Sequence, residues 1–310
     1  MYIATNEDFC IKHNILSVLP VSIKRYMCGV NLDEAEEIRL IQGKEMFIRY
    51  PDGDYFITTK GVLSKSAQYA LKVSKKHLDE LLERITKSSL YTVKDELKNG
   101  YITIDGGHRV GICASAVTEN GSVEFMKNIS AMNIRIANEI TGAADSVIEY
   151  VSGDEVKNTL ILSPPSCGKT TLLRDLVRRL SYSGYSVGVA DERCEIAAMY
   201  GGESAFDLGP RTMVMDNCPK EIAMTMLLRS MSPDIIVTDE LGKDADVKAV
   251  IDIVNSGVKV IATVHGRDIK QLAQKNATKL LLPMFDLIVI LSRRNGAGTV
   301  ENIVRTKSDA

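Results

Sequence analysis

The most constraining feature of this sequence is an apolar run that passes through a turn into a second apolar pattern. Residues 158–175 read NTLILSPPSCGKTTLLRD. The run Thr159–Leu162 predicts a short buried strand, and the leucines after Gly168-Lys169-Thr170 recur at helical spacing. A strand, a turn ending in Gly-Lys-Thr and a helix in this order are typical of the Walker A phosphate-binding loop. The segment therefore favours an α/β fold.

The chemistry of such a loop follows from the start of its helix. Backbone N–H groups at a helix N-terminus point toward a bound phosphate, and the helix dipole favours negative charge there. The ammonium of Lys169 is expected to reach the β- and γ-phosphates of ATP, and the Thr170 hydroxyl to bind Mg²⁺. The residues expected to contact the nucleotide are Ser163, Ser166, Cys167, Gly168, Lys169, Thr170 and Thr171.

Two serines depart from the glycine-rich template of this loop. Ser163 stands at the first glycine of G-x-x-x-x-G-K-[ST], and Ser166 at a position where many such loops carry glycine. Because glycine adopts a positive φ without strain, both serines are expected to strain the loop or to weaken nucleotide binding. A strand–turn–helix with a chance Gly-Lys-Thr is the alternative interpretation, and one motif alone does not exclude it.

A second apolar run ends in two acidic residues. Residues 234–240 read DIIVTDE, and the run Ile235–Val237 predicts a buried parallel strand. Asp239 and Glu240 come at its carboxyl end, where open α/β sheets bind ligands. Asp239 is expected to hold Mg²⁺ through water, and Glu240 to act as general base toward an attacking water. A solvated turn is the alternative, which the upstream Gly-Lys-Thr makes less favourable.

A third strand, predicted over Val258–Thr263, brings a histidine to the same edge of the sheet. The strand continues as Val264-His265-Gly266. His265 is expected to respond to the γ-phosphate and to pass that state to a neighbouring subunit. A structural histidine at a strand end is the alternative, but next to a phosphate loop the functional interpretation is favoured.

Composition limits the class of protein. The 310 residues are enough for two domains, and 45% hydrophobic with 25% charged residues is typical of a soluble globular protein. The net charge of −2 argues against a large basic nucleic-acid surface. The six cysteines are scattered without a C-x-x-C pair, which indicates neither a metal site nor a disulfide framework. With no signal peptide pattern and no long apolar stretch, a cytosolic location is expected.

The chain is expected to divide near residues 142–152, into an α+β domain at 1–145 and a P-loop domain at 146–310. The second domain should have a mostly parallel sheet with helices on both faces, because strands and helices alternate along it. Its strands are predicted near 158–162, 186–191, 234–238, 258–263 and 286–291, and its helices near 169–181, 219–230, 244–255 and 268–279. A last run, Thr299–Val304, is expected to pair antiparallel at the sheet edge after the Asn295-Gly296 turn.

The first domain shows mixed patterns. Helical spacing of apolar residues extends over Leu71–Ile85, and Gly106–Arg109 resembles a turn between two strands. Strand-like alternation occurs at Glu37–Leu40, Met46–Tyr50, Tyr101–Ile104 and Val110–Ala114. None of these patterns indicates an independent catalytic centre.

Several segments together resemble the stage III sporulation protein AA family, from about Glu37 to about Leu291. They are GYITIDGGHRVGIC (100–113), NIRIAN (133–138), CGKTTLLRDLVRRLS (167–181), VADERCEIAA (189–198), CPKEIAMTMLLRSMSPDIIVTDELG (218–242) and ATVHG (262–266). That family is the ATPase encoded with the channel apparatus between mother cell and forespore, and it is similar to the hexameric ATPases of type II and type IV secretion systems. The resemblance implies a RecA-like ATPase core after an N-terminal α+β domain.

The resemblance also implies roles for further residues. Asp191–Arg193 follow the second core strand, where secretion ATPases keep an acidic Asp box, so Glu192 or Glu195 would position water or metal. A solvated strand end is the alternative. His265 corresponds to the His box of those ATPases. Arg229 stands in a segment similar to their Leu-Arg-x-x-x-Pro-Asp, which implies a coupling arginine; a cation favoured by the helix dipole is the alternative.

The resemblance finally implies a mechanism and partners. A Mg²⁺-dependent ATPase would hydrolyse ATP by in-line attack of water, with positioning and electrostatic stabilisation contributing most. The implied working form is a homo-hexamer in the mother-cell cytoplasm that acts on a membrane-embedded sporulation-channel protein. An arginine from the next subunit is expected to complete each site, and the candidates are Arg109, Arg135, Arg193 and Arg211.

Three other functions remain open. A RecA-like nucleic-acid motor would show a basic surface with aromatic residues, whereas this chain has no tryptophan and 5% aromatics, so no nucleic-acid partner is expected. A small-molecule kinase would need an arginine-rich lid, and none is evident in the sequence. A nucleotide-binding scaffold without turnover is compatible with the two serines of the loop.

Overall fold

The structure is a computed structural model that describes residues 15–32, 34–87, 97, 100–119, 122–274 and 276–306. Its internal contacts divide the chain into two compact units. The first comprises Met1–Asn138 with Tyr200–Ala205, and the second comprises Glu139–Met199 with Phe206–Ala310. The boundary expected between residues 145 and 146, as a limit between separate domains, stays a prediction.

The first unit is built on a seven-stranded sheet in the order β4-β3-β2-β1-β7-β6-β5. Its strands are β1 Glu37–Ile41, β2 Phe47–Tyr50, β3 Gly53–Ile57, β4 Leu63–Ser64, β5 Tyr101–Ile104, β6 His108–Glu119 and β7 Ser122–Arg135. All neighbouring strands pair antiparallel. Alternate residues are buried along β1 and β5, as in a sheet with one face on the core.

The helices α1 Val21–Met27 and α2 Lys75–Ile85 lie in the described part of this unit. A reciprocal cap fixes the start of α2, since Ser74 Oγ accepts the His77 N–H and His77 Nδ1 accepts the Ser74 N–H. Leu71 belongs to extended backbone instead of the helix predicted to include it, and its N–H donates to the Ile57 carbonyl. The turn predicted at Gly106–Arg109 is confirmed by the antiparallel pairing of β5 with β6.

The second unit holds a seven-stranded sheet in the order β12-β9-β13-β14-β8-β15-β16. Its strands are β8 Thr159–Ser163, β9 Val187–Asp191, β12 Thr212–Asp216, β13 Ile235–Thr238, β14 Lys259–His265, β15 Leu287–Ser292 and β16 Thr299–Arg305. All neighbours pair parallel except β15 and β16, which pair antiparallel. The sheet is therefore mixed and not purely parallel. The antiparallel edge strand predicted for Thr299–Val304 is confirmed as β16. A separate two-stranded ribbon consists of β10 Met199–Tyr200 and β11 Glu203–Ser204, and most of it belongs to the first unit.

The helices of the second unit that follow residue 168 agree closely with the sequence pattern, whereas the short helix at Ile148–Ser152 was not predicted. The helices of this unit are α3 Ile148–Ser152, α4 Lys169–Tyr182, α5 Lys220–Met231, α6 Asp244–Asn255, α7 Ile269–Gln274 and α8 Asn276–Leu281, followed by a 3-10 turn at Leu282–Met284. The helix predicted near 268–279 corresponds to α7 and α8, between which Lys275 lies outside the described residues. Within the described ranges, no helix is long and apolar enough to cross a membrane.

Candidate functional site

The phosphate loop joins β8 to α4. It closes at Gly168, whose φ of +84° places the N-cap of α4 in the left-handed conformation. A Cβ at Gly168 would approach the Gly298 nitrogen to 2.9 Å. The Gly298 N–H also donates to the Cys167 carbonyl over 2.9 Å. Glycine is thus required at position 168 by its backbone angle and by the turn between β15 and β16. The strand, turn and helix predicted for residues 158–175 are confirmed.

The two serines of the loop differ in backbone conformation. Ser166 has a φ of +57°, a left-handed conformation that costs a residue with a side chain about 1–2 kcal/mol. Ser163 ends β8, is buried, and is not among the residues with positive φ. The strain predicted for both serines therefore applies to Ser166 and is wrong for Ser163.

The ammonium of Lys169 lies against its own loop. Its Nζ is 3.1 Å from the Pro164 carbonyl oxygen, 3.3 Å from Ser163 Oγ and 3.0 Å from His265 Nδ1. Burial lowers the pKa of Lys169, and the negative charge of Glu240 opposes that shift. None of these atoms carries a full negative charge, nor does the Ser163 carbonyl oxygen 3.4 Å away, so phosphate oxygens would offer the ammonium stronger, charge-assisted hydrogen bonds.

The remaining predicted loop residues surround this lysine in the chain. Thr170 and Thr171 lie in the first turn of α4 and are half-buried. Cys167 is buried, and its thiol donates to the Pro165 carbonyl over 3.6 Å. These positions agree with a loop whose backbone and first helical turn face a phosphate, and their role in binding stays a prediction.

Asp239 follows β13 and is almost fully buried. Its Oδ1 and its carbonyl oxygen accept hydrogen bonds from Lys220 Nζ over 3.2 and 2.7 Å. Its Oδ2 is buried and has no hydrogen-bond partner among the described residues. Burial raises the pKa of Asp239, and the charge of Lys220 opposes that shift. A buried carboxylate oxygen without a partner is the kind of group that a metal-bound water satisfies.

Glu240 connects three elements of the site. Its Oε1 lies 2.8 Å from His265 Nε2 and its Oε2 lies 2.7 Å from Arg193 Nη1. Its φ is +38°, and its N–H donates to Thr263 Oγ1 over 2.8 Å. Burial acts to raise the pKa of Glu240, but the hydrogen bond from His265 and the charge of Arg193 outweigh burial and leave the pKa below its usual 4.5. Glu240 is therefore ionised at neutral pH, as a base toward water must be.

Strand order explains why these side chains meet. β14 lies between β13 and β8, and His265 stands opposite Ser163 in the parallel register. The carboxyl ends of parallel strands share one edge of the sheet, so residues that follow them converge there. The structure accordingly joins Lys169, His265 and Glu240 into one continuous chain of contacts.

The acidic segment after β9 has two separate parts. Asp191 is buried and accepts hydrogen bonds from the backbone N–H groups of Glu195–Ala197 over 2.8, 3.0 and 2.8 Å, so it shapes the loop that follows β9. Glu192 reaches the site instead. Its Oε2 lies 3.6 Å from Lys220 Nζ and its Oε1 lies 3.6 Å from Lys243 Nζ. Glu192 thus shares a cation with Asp239, and its predicted role toward water or metal stays a prediction.

Arg229 lies apart from this cluster. It is exposed in the last turn of α5, whereas Lys220 begins that helix. The two residues are nine positions apart in the helix, which is about 13.5 Å along the axis at 1.5 Å per residue. The coupling role implied for Arg229 therefore needs contacts outside the cluster and stays a prediction.

The four arginines proposed for a neighbouring site also differ in their surroundings. Arg193 pairs with Glu240 of its own chain. Arg109 lies 4.8 Å from the centre of the Tyr101 ring, and Arg135 is 3.4 Å from a Glu37 carboxylate oxygen. Arg211 has an exposed side chain, and its N–H donates to Ser181 Oγ. These contacts make Arg193 part of the site of its own chain.

Lys220 is a residue of this site that the sequence pattern did not predict. It is buried, and besides Asp239 it donates to the Glu240 carbonyl over 3.2 Å. The sequence contains one indication that Lys220 has a specific partner. Lys220 follows Cys218-Pro219 at the start of a predicted helix, where the helix dipole disfavours a cation.

The fold has relatives of known structure. It is similar to the pilus retraction motor PilT, solved with bound ADP, with a TM-score of 0.59 at 16% identity, covering 96% of this chain and 84% of that chain. It is also similar to the ATPase DotB of Legionella pneumophila, with a TM-score of 0.56 at 16% identity, covering 88% of this chain and 76% of that chain. At this identity the likeness concerns the fold alone, which is that of the α/β P-loop ATPases.

Sequence comparison identifies a family. Residues 10–310 match the model of the family described as sporulation stage III, protein AA. The chain is 38% identical over 303 residues to stage III sporulation protein AA of Bacillus subtilis (strain 168), with 94% of each chain covered. The resemblance inferred from the motifs is confirmed, and the chain belongs to the stage III sporulation protein AA family.

Proposed function

We propose that this chain is a Mg²⁺-dependent ATPase with a RecA-like core. The observation that carries the proposal is the chain of contacts from Lys169 through His265 to Glu240, at the edge where Asp239 keeps an unpartnered oxygen. A phosphate-binding lysine, a carboxylate for a metal and a base for water are the groups that ATP hydrolysis requires. The bound ADP of PilT, a relative in fold, supports a nucleotide as the ligand.

The loop and α4 would bind the phosphates. Backbone N–H groups from Ser166 onward and the N-terminus of α4 favour anions, while Pro164 and Pro165 contribute no N–H. The ammonium of Lys169 would exchange its contacts with Pro164, Ser163 and His265 for phosphate oxygens.

The donor set fits Mg²⁺. Asp239 offers a buried oxygen without a partner among the described residues, and the Thr170 hydroxyl stands in the first turn of α4. Magnesium uses few protein ligands together with phosphate oxygens and water, which suits these two residues. When bound, the ion would neutralise charge on the β- and γ-phosphates.

Glu240 would take the proton of the attacking water. Its ionised carboxylate is oriented by His265 on one oxygen and by Arg193 on the other. His265 contacts both Glu240 and Lys169, so a movement of Lys169 toward phosphates removes one partner of His265 Nδ1. Binding of a nucleotide to the loop would in this way change the contacts of His265, which also contacts the base Glu240.

Phosphate release from Mg·ATP tests the enzyme directly. Glu240→Gln keeps the size of the side chain and removes the base, so steady-state release is expected to fall about 10²–10⁴-fold. Binding of a fluorescent ATP analogue should be retained in this variant and lost in Lys169→Ala. Equal background rates in wild type and Glu240→Gln would retire the enzyme proposal.

We also propose an assembly and a cellular role. The chain would work as a homo-hexamer in the mother-cell cytoplasm, and would use ATP to drive a membrane-embedded protein of the sporulation channel, without nucleic acid. Family membership and the implied similarity to hexameric secretion ATPases support this role. Mass in solution, measured with and without Mg·ATP, tests the ring: a hexamer with nucleotide supports it, and a monomer under both conditions contradicts it.

A nucleotide-binding scaffold without turnover is the second candidate. Two observations favour it: the left-handed backbone of Ser166 and the contacts that hold Lys169 against its own loop. The scaffold predicts nucleotide binding with no difference in phosphate release between wild type and Glu240→Gln. The same assay therefore separates the two functions.

A further inference from the structure

Lys220 is a buried lysine whose ammonium is bound to the turn that carries Asp239 and Glu240. Its side chain is 5% exposed. Its Nζ lies 2.7 Å from the Asp239 carbonyl oxygen, 3.2 Å from Asp239 Oδ1 and 3.2 Å from the Glu240 carbonyl oxygen. An ammonium has three N–H donors, so these three acceptors engage all of them.

The position of Lys220 is unfavourable for a cation that has no anionic or hydrogen-bonding partner. Lys220 is the first residue of α5, where the helix dipole disfavours positive charge. Burial of an ammonium is costly unless the charge is paired and hydrogen-bonded. The buried residues that follow it on α5, Ala223, Met224 and Leu227, are apolar and do not require a charge. The carboxylates of Asp239 and Glu192 are the partners that this cation meets.

Lys220 engages one oxygen of the Asp239 carboxylate and leaves the other oxygen available. Oδ1 accepts from the ammonium, whereas Oδ2 is buried without a partner among the described residues. A carboxylate held at one oxygen has a fixed rotamer, so the direction of its second oxygen is fixed as well. Ligand carboxylates oriented in this way depend on their outer partners for metal affinity.

The same ammonium also braces the backbone of Glu240. The φ of +38° at Glu240 is a conformation that persists only when surrounding contacts hold it. Lys220 bonds the carbonyls of residues 239 and 240, and Thr263 Oγ1 accepts the Glu240 N–H. The strained turn is therefore held from both sides.

We propose that Lys220 is a positioning residue for the metal of this site. It presents Oδ2 of Asp239 to the water of a nucleotide-bound divalent cation, and it fixes the turn from which Glu240 projects. This inference rests on the proposed function, because it concerns how that same site accepts Mg²⁺.

Magnesium dependence of nucleotide binding tests the proposal. A fluorescent ATP analogue is titrated with rising Mg²⁺ in the full-length wild type, Lys220→Met and Lys220→Gln, each shown to be folded by thermal unfolding. The Mg²⁺ concentration for half-maximal binding is expected to rise about 10–100-fold in Lys220→Met, the range for loss of an outer partner of a metal ligand. Binding of the analogue in EDTA should stay unchanged, since the phosphate loop is intact. Lys220→Gln keeps a hydrogen-bond donor without the charge and serves where Lys220→Met does not fold.

Lys243→Met is the matched control. Lys243 also lies 3.6 Å from a Glu192 oxygen, but its side chain is 65% exposed. Its removal should leave the Mg²⁺ requirement unchanged, and an equal rise in both variants would contradict a specific role for Lys220.

The outcomes separate this inference from the proposed function. Wild-type Mg²⁺ dependence in a folded Lys220 variant overturns the inference alone, as does equal weakening of binding with and without Mg²⁺. Absence of Mg²⁺-dependent binding in the wild type overturns the proposed function, and the inference falls with it. Magnesium-dependent binding with no effect of Glu240→Gln on phosphate release removes the enzyme proposal and leaves the role of Lys220 standing.

Discussion

Two turns at the same edge of the second sheet contain a residue with a side chain in the left-handed conformation, and they are supported very differently. Ser166 has a φ of +57° in the phosphate loop and is exposed, and no described residue hydrogen-bonds its side chain. Glu240 has a φ of +38°, and contacts from Thr263 and Lys220 hold its backbone. The strain at Glu240 is maintained by contacts to the backbone of that residue, and it positions a functional group. The strain at Ser166 has no hydrogen bond to its side chain among the described residues, and it lowers the stability of the loop conformation that would bind a nucleotide.

Removal of the brace on Glu240 should have the larger effect. Thr263→Val keeps the shape of the side chain and leaves the part-buried Glu240 N–H without its acceptor, which costs about 1 kcal/mol. If the turn positions the base for the reaction, kcat for ATP hydrolysis should fall about tenfold while KM changes little, because Glu240 acts in the transition state. Steady-state kinetics of phosphate release measure both constants.

Thr159→Val is the matched control for this experiment. Thr159 is also fully buried, and its hydroxyl donates to the Lys157 carbonyl over 2.8 Å at the opposite end of β8. This change should lower stability and leave kcat unaltered. A wild-type kcat in the Thr263→Val variant would contradict the proposed difference between the two turns, since the backbone conformation of Glu240 would then not contribute to catalysis.

Relief of the strain at Ser166 should have the smaller effect. Ser166→Gly permits the left-handed backbone without the steric cost of Cβ, so nucleotide affinity should rise about two- to fivefold with kcat unchanged. Ser183→Gly is the control, because Ser183 is exposed at the C-terminal end of α4 with a φ of −76°, so glycine there relieves no left-handed strain. Equilibrium titration with a fluorescent ATP analogue measures the difference. Weaker binding by Ser166→Gly would contradict this prediction. It would show that the serine side chain makes a contact with the nucleotide whose free energy exceeds the cost of its left-handed backbone.

The core of the second unit was largely predictable from the sequence. β8, β13 and β14 are buried on both faces, and continuous apolar runs such as Ile235–Val237 are the pattern of such strands. β12 was not predicted, because it is an edge strand whose residues are all half-buried and include Met213 and Met215. In the first unit, β7 was not predicted either, and register shifts in its pairing with β6 blur the alternation that marks a strand.

The candidate site was predictable to the extent that its residues follow strands. Lys169, Asp239, Glu240 and His265 each stand after an apolar run, so topology brings them to one edge. Lys220 and the pairing of Arg193 with Glu240 depend on contacts between elements far apart in sequence, which no local pattern reports. The unequal strain at the two serines was hidden for the same reason, because φ is a property of the folded loop and not of the residue type.

The contact between the phosphate loop and the β15–β16 turn has a mechanical consequence. The Gly298 N–H holds the Cys167 carbonyl, and Gly168 leaves no room between the two backbones for a Cβ. Any rearrangement of the phosphate loop must then either break the hydrogen bond between Gly298 and Cys167 or move the β15–β16 hairpin together with the loop. Since β16 is an edge strand of the described sheet, the second course would displace the edge of the second unit's sheet that lies opposite β12.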